Sequence, residues 1–276
     1  MRNLFKSFKS FQSLQFLDLS FNNLTSIDLN YSKKLSFLDL SHNVNIYHLN
    51  VSESLQILNL SNTSARLILD LNFLTDSNLE EIDLSLNNLK YLSLSHFEFW
   101  GKIKKLNLRD TNFTDFKALK ALPSELLGID LSYNLKLEDE SLVLSQYKKI
   151  EIIKVSNRNL SSIYFEFGVD FQYLKYLDLS FNRLKSITDI PLSLFYLNIS
   201  YNSLEFIVLS RSQFKNFMNY FSNLKSIDLS KSLSKTLSGA EFFFKKILEK
   251  SLFAIMFIST LKPKQKCLTI LKSVLC

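Results

Sequence analysis

Histidine, cysteine and carboxylate groups carry most protein chemistry, and this chain is poor in the first two. His42, His48 and His96 are scattered and unpaired, so none reads as a metal ligand or a catalytic base. Cys267 and Cys276 have eight residues between them and no nearby histidine, which defines neither a disulfide framework nor a zinc site. Four glycines leave little material for a phosphate-cradling loop. The carboxylates are a different matter. Asp18, Asp39, Asp83, Asp130, Asp178 and Asp228 recur in one local context, with Asn59, Asn107, Lys154 and Asn198 in the intervening copies. Carboxylates on adjoining strands can imitate a hydrolase dyad, but no nucleophile, acid-base histidine or pocket-forming insertion accompanies them. Lys154 reads as an internal partner of Asp130 and Asp178, not as a base. We therefore expect no catalytic residues, no metal and no cofactor.

The recurrence is an internal repeat. Leu14-Gln-Phe-Leu17-Asp-Leu19-Ser-Phe-Asn22-Asn-Leu24 returns as Leu79-Glu-Glu-Ile82-Asp-Leu84-Ser-Leu-Asn87-Asn-Leu89 and as Leu174-Lys-Tyr-Leu177-Asp-Leu179-Ser-Phe-Asn182-Arg-Leu184. Ten copies start at 14, 35, 55, 79, 103, 126, 150, 174, 194 and 224, with those at 55, 103, 150 and 224 the weaker matches. The chain resembles leucine-rich repeat proteins, whose L-x-x-L-x-L-x-x-N-x-L unit these segments match over residues 14–234. The resemblance implies a leucine-rich repeat horseshoe, an α/β repeat solenoid with a parallel β-sheet on its concave face. It also implies protein partners, without identifying one.

The pattern has a physical reading of its own. In L-x-x-L-x-L the second and third leucines are two apart, so they point to one side of a short strand and the residue between them points to the other. Parallel strands stacked about 4.8 Å apart bury that apolar side only against neighbouring repeats, and ten would make a ladder of about 45 Å. The ninth position reads Asn22, Asn43, Thr63, Asn87, Thr111, Asn134, Arg158, Asn182, Asn202 and Ser232. An amide there can satisfy backbone groups that the turn leaves inside. Arg158 is too large and charged for such a slot, which predicts a local slip that hands the role to Asn157 or Asn159.

The remaining composition fits a buried scaffold with separate ends. Of 276 residues 46% are hydrophobic and 25 are Phe, enough for a sizeable core and incompatible with general disorder. Residues 1–13 form an irregular N-terminal cap, with Phe5, Phe8 and Phe11 as a lid on the first strand. The 30-residue step from 194 to 224 has room for an outer helix carrying Phe214, Phe217, Met218 and Phe221. Residues 235–276 form a basic C-terminal cap or tail, with an amphipathic helix over 238–261 built on Phe244, Ile247, Leu248, Leu252 and Ile255. The net charge of +7 resides there, because residues 231–276 hold nine lysines against Glu241 and Glu249 while the rest has 24 basic and 24 acidic residues.

A display surface of this kind binds through its exposed strand positions. Phe16, Phe37, Tyr176 and Tyr196 are the expected anchors, with Asp18, Asp39, Asp83, Asp130, Lys154 and Asp178 as the charged row that orients a basic protein partner. Inherited consensus explains much of the aspartate row equally well. Nucleic acid is disfavoured by an acidic ladder and a tail without arginine, whereas lysines beside an apolar helix leave a membrane surface open to residues 238–276. Eight Asn-x-Ser/Thr triplets would suit a glycosylated ectodomain, although the repeat supplies them by its own composition. The absence of an apolar leader points to the cytoplasm, or to secretion or the cell surface if an upstream signal is missing. The reading is a non-enzymatic protein-binding module. Its alternatives are a receptor ectodomain fragment, a ubiquitin-ligase adaptor without an F-box-like segment here, and a peripheral membrane protein anchored by its tail. The oligomeric state is left open.

Overall fold

Each of the ten repeats places a three-residue strand at its third to fifth positions, and the computed structural model of the chain is built on these strands. It describes residues 12–64, 78–91, 100–135, 143–162, 171–188, 190, 191, 193–204, 206–208, 226–228 and 255–257. Two compact units divide the chain, Met1–Val143 and Leu144–Cys276.

In the first unit the strands are β1 (Phe16–Asp18), β2 (Ser26–Asp28), β3 (Phe37–Asp39), β4 (His48–Asn50), β5 (Ile57–Asn59), β6 (Glu81–Asp83), β7 (Lys105–Asn107) and β8 (Gly128–Asp130). The ladder runs β1-β3-β5-β6-β7-β8, all parallel and in strict repeat register, so that Phe16 stands beside Phe37, Glu81 beside Lys105 and Asp83 beside Asn107. The middle residue of each strand points inward, and Leu38, Leu58, Ile82, Leu106 and Ile129 are buried with the flanking leucines Leu40, Leu60, Leu84, Leu108 and Leu131. Strands β2 and β4 pair as a second, two-stranded sheet on the return segments, a feature the sequence analysis did not anticipate.

The second unit repeats the scheme with β9 (Ile152–Lys154), β10 (Tyr176–Asp178), β11 (Ser186–Thr188), β12 (Tyr196–Asn198), β13 (Phe206–Val208), β14 (Ser226–Asp228) and β15 (Ile255–Phe257). Its parallel ladder is β9-β10-β12-β14-β15, and β11 pairs with β13 on the return side. At Ile255–Phe257 alone the helix expected over 238–261 is corrected to strand β15: Ile255, Met256 and Phe257 pair with Ser226, Ile227 and Asp228. A short run of consecutive apolar residues satisfies a buried strand as readily as one turn of an amphipathic helix, and the free edge of β14 offers it a ladder. The rest of that span, the lid of Phe5, Phe8 and Phe11, and the helix expected between 194 and 224 lie outside the described residues. Apart from β2, β4, β11 and β13, the described return segments are irregular or 3-10, as at Phe116–Ala121, where Asp115 caps the first turn by accepting from the Ala118 N–H at 3.2 Å. Repeats of 20–24 residues leave too few positions after the strand and its turn for long α-helices.

The ninth-position side chains bind successive repeats together. The Asn43 amide donates to the carbonyls of Leu19 and Leu40, both at 2.9 Å, and its oxygen accepts from the Leu24 N–H at 3.0 Å. Asn87, Asn134, Asn182 and Asn202 make the corresponding bonds, each reaching a carbonyl of its own repeat and one of the repeat before. Thr63 and Thr111 donate a hydroxyl to Leu60 and Leu108 and take an N–H acceptor from the next asparagine. Turn groups that would be stranded without water are satisfied in this way.

The slip predicted at Arg158 does not occur. Arg158 is 3% exposed and holds the ninth position in register: its N–H donates to the Asn182 oxygen at 3.0 Å, and the Asn157 N–H donates to Ser180 O at 3.0 Å as Phe181 does to Ser200 O in the following repeat. The backbone ladder fixes the register through bonds that do not use the side chain at 158.

Tyr147 is the largest fully buried side chain of the second unit, and burial pushes its hydroxyl up to about 12 against a partial offset from the Gln146 side chain. The folded state then keeps a proton that the unfolded chain releases above about pH 10. Stability should therefore fall as pH rises from 10 to 12, by about 1.4 kcal/mol per unit. Denaturant titrations of the protein and of Tyr147→Phe across this range are expected to diverge, with the variant lacking this part of the slope. Parallel curves would show that the Tyr147 hydroxyl is not the group responsible.

Candidate binding face

The residues on either side of each buried strand centre form the open face. At the third position the rows are Phe16, Phe37, Ile57, Glu81, Lys105 and Gly128 in the first unit, and Ile152, Tyr176, Tyr196 and Ser226 in the second. Phe16 and Phe37 stack with ring centroids 4.1 Å apart and planes 5° from parallel, and Phe16 remains 59% exposed. Tyr176 and Tyr196 are 6.0 Å apart at 42°, with Tyr196 45% exposed. The expected anchors thus pair within each unit, Phe16 with Phe37 in the first and Tyr176 with Tyr196 in the second. Between them in sequence, Glu81 and Lys105 form an ion pair, as do Glu80 and Lys104 at 2.7 Å. Each is a half-exposed surface pair worth about 0–1 kcal/mol.

At the fifth position the carboxylates have a structural task. Asp18, Asp39, Asp83, Asp130 and Asp178 each accept the N–H of the residue two further on, at 2.8–3.0 Å, and so close the turn that ends the strand. Asn59, Asn107 and Asn198 make the same bond at 2.9–3.1 Å, so the turn needs the oxygen and not the charge. The second oxygens of Asp39 and Asp83 accept from the Asn59 and Asn107 amides at 2.9 and 2.8 Å. Relief of charge along the row is thereby achieved by amides. At Asp18 the backbone and side chain of Ser20 hold the carboxyl below its usual value. Lys154 stands in register beside Asp178, and its ammonium lies 5.9 Å from the Tyr176 ring centroid.

A further row escaped the sequence reasoning. The eighth residue of nine successive repeats is left-handed, with φ between 49° and 63° at Phe21, His42, Asn62, Leu86, Asp110, Tyr133, Asn157, Phe181 and Tyr201. None is glycine, so each carries about 1 kcal/mol of local strain. In seven of them an N–H donates to the carbonyl of the following repeat's seventh residue, as from Phe21 to Ser41 and from Phe181 to Ser200, both at 2.9 Å. That turn throws the side chain outward. Phe21 is 76% exposed and stacks on His42 at 4.1 Å, and Phe181 stacks on Tyr201 at the same distance. Arg109 lies over the Tyr133 ring, 4.1 Å from its centroid. The signal was present as Ser-Phe-Asn, Ser-His-Asn and Ser-Tyr-Asn, but without the turn's dihedrals nothing indicates that this position faces outward. Among the described residues, no three metal-binding side chains gather and no helix is long and apolar enough to cross a membrane.

Comparison with known proteins agrees with this geometry. The Leucine Rich Repeat family pattern matches at residues 13–33 and 173–195. No curated protein matches the sequence. Among solved structures, an internalin (inlF) from Listeria monocytogenes is similar at 18% identity and a TM-score of 0.56, over 92% of this chain and 83% of that one. The leucine-rich repeat domain of APL1B is similar at 17% identity and a TM-score of 0.54, over 94% of this chain and 86% of that one. At these identities the likeness is one of fold. With a strand in each repeat and the asparagine bonds that join successive repeats within each unit, the chain has the fold of leucine-rich repeat proteins and resembles that family.

Proposed function

We propose that the chain is a non-enzymatic protein-binding module that takes its partner across the open strand face, with Phe16, Phe37, Tyr176 and Tyr196 as the anchors. One observation carries this reading: aromatic rings stand in side-by-side pairs on that face, Phe16 stacked on Phe37 and Tyr176 tilted against Tyr196, with Phe16 and Tyr196 exposed. Exposed aromatics beside polar groups are where association energy concentrates. Of the charged row, Asp18 is the better-placed orienting group for a basic partner, because Asp39 and Asp83 already spend both oxygens on the protein's own amides and Asp178 has Lys154 in register beside it. Leucine-rich repeat proteins as a class generally bind protein partners, which supports the coarse form of the proposal.

A crosslinked pull-down comparing the intact chain with a folded variant in which the four anchors are Ser tests it. Partners captured by the intact chain and lost by the variant are the expected result. Retention of the same partners would move the function away from this face, with the basic segment 238–276 as the next candidate.

A further inference from the structure

Resting on the proposed partner reading, we infer that β1, β3 and β5 form a seat for an arginine side chain of the partner, read by stacking on Phe16 or Phe21 and by pairing with Asp18. Three independent features point to this chemistry.

The first is charge. At positions two, three, five, seven and eight of β1, β3 and β5 and their turns, Asp18 and Asp39 are the only groups that carry a fixed charge, with His42 the only other titratable one. Asp39 gives its second oxygen to Asn59, whereas Asp18 accepts only from Ser20 among the bonds described. Lys33 and Lys34 belong to the turn before β3 and not to these positions. A negative, aromatic patch complements a cation.

The second is the fold's own use of such rings. Arg109 covers Tyr133, and Lys154 stands over Tyr176, so two aromatic places on the same rows are filled by the protein's own cations. Among the described residues no lysine or arginine covers Phe16 or Phe21, whose outer surfaces are the more exposed. Tyr176 and Asp178 in the second unit already have Lys154 beside them, which makes the first unit the open seat.

The third is spacing. Phe16 and Asp18 are two residues apart on one side of a strand, about 7 Å along the chain. A planar guanidinium can lie flat on the ring and still direct an N–H at that carboxylate, whereas an ammonium, as a compact point charge, serves one of the two at a time. Arginine is therefore favoured over lysine.

The probe is a random dodecapeptide display library panned against the full chain, followed by affinity measurement on synthetic copies of the selected peptides. We expect enrichment of arginine, at least a tenfold loss of affinity when that arginine becomes lysine, and a similar loss with Asp18→Asn or Phe16→Ser. Asp18→Asn isolates the charge, because Asn59, Asn107 and Asn198 close the same turn as amides. Selected peptides that need the aromatic pairs but lack arginine, or that ignore Asp18→Asn, would overturn the arginine seat and leave the face reading standing. Peptides indifferent to both aromatic pairs, or no enrichment at all, would count against both.

Discussion

Replacing Asn134 by Ala should cost the first unit about 3–5 kcal/mol, among the largest effects expected of any single polar substitution. The side chain is fully buried, and its oxygen accepts from the Thr111 N–H and hydroxyl, both at 3.1 Å, and from the Phe113 N–H at 3.0 Å. Its amide donates to Leu108 O at 2.7 Å, Leu131 O at 3.0 Å and Ser132 O at 3.3 Å. Truncation leaves these groups in a core without replacements, and a buried unsatisfied group costs about 1–3 kcal/mol. Since whole domains are stable by only about 5–15 kcal/mol, much of the unit's margin would go. Asn134→Leu, which restores volume without hydrogen bonds, should do no better. Asn22 makes a similar pair of carbonyl bonds on an exposed turn, so Asn22→Ala should cost about 1 kcal/mol or less. Urea titrations decide the matter: near-equal losses at Asn22 and Asn134 would mean that the asparagine ladder is not what joins the repeats.

The second large effect is on association, not on folding. Phe16→Ser combined with Phe37→Ser should weaken partner binding by at least about 2 kcal/mol, some thirtyfold, as expected of an aromatic anchor pair. Folding should hardly notice the Phe16 change, because that ring is mostly outside the core. Phe37 is half-buried, so its own cost to stability must be measured alongside. A loss of affinity matched by a loss of folded protein would remove the inference that these rings act at an interface.

Much of this architecture was readable from the residues alone, because a repeat that cannot bury its apolar face by itself leaves one stacking solution. All ten strands fall at the third to fifth positions of the repeats that Leu14, Leu35, Leu55 and their successors begin. What failed did so for local reasons. Arg158 looked incompatible with its slot because side-chain size was weighed without the backbone ladder that fixes the register around Asn157 and Asn182. The run at Ile255–Phe257 carries both periods at once, and only the neighbouring edge of β14 decides between them. The β2–β4 and β11–β13 pairs depend on return segments whose sequences share little beyond Ser-Ile-Asp and Ser-Ile-Thr. On the face, residue types revealed the aromatic pairs at positions three. They did not reveal that the aspartates close turns, since an Asp that accepts a backbone N–H and an Asp that awaits a ligand look the same in a sequence. Nor did they reveal the outward row at position eight, which exists because nine non-glycine residues adopt left-handed dihedrals, seven of them held by a bond to the next repeat.

The central claim is that partners are met on the strand face and not on the return segments or the turns that lead into the ladder, where Tyr47 and Tyr173 are also exposed. A photoreactive phenylalanine analogue placed singly at 16, 196, 47 and 173 in the full chain tests this directly, with crosslinked partners identified by mass. Adducts from 16 and 196, and none from 47 and 173, are the predicted outcome. Adducts from 47 or 173 without any from 16 and 196 would contradict it and move the interface off the strand face.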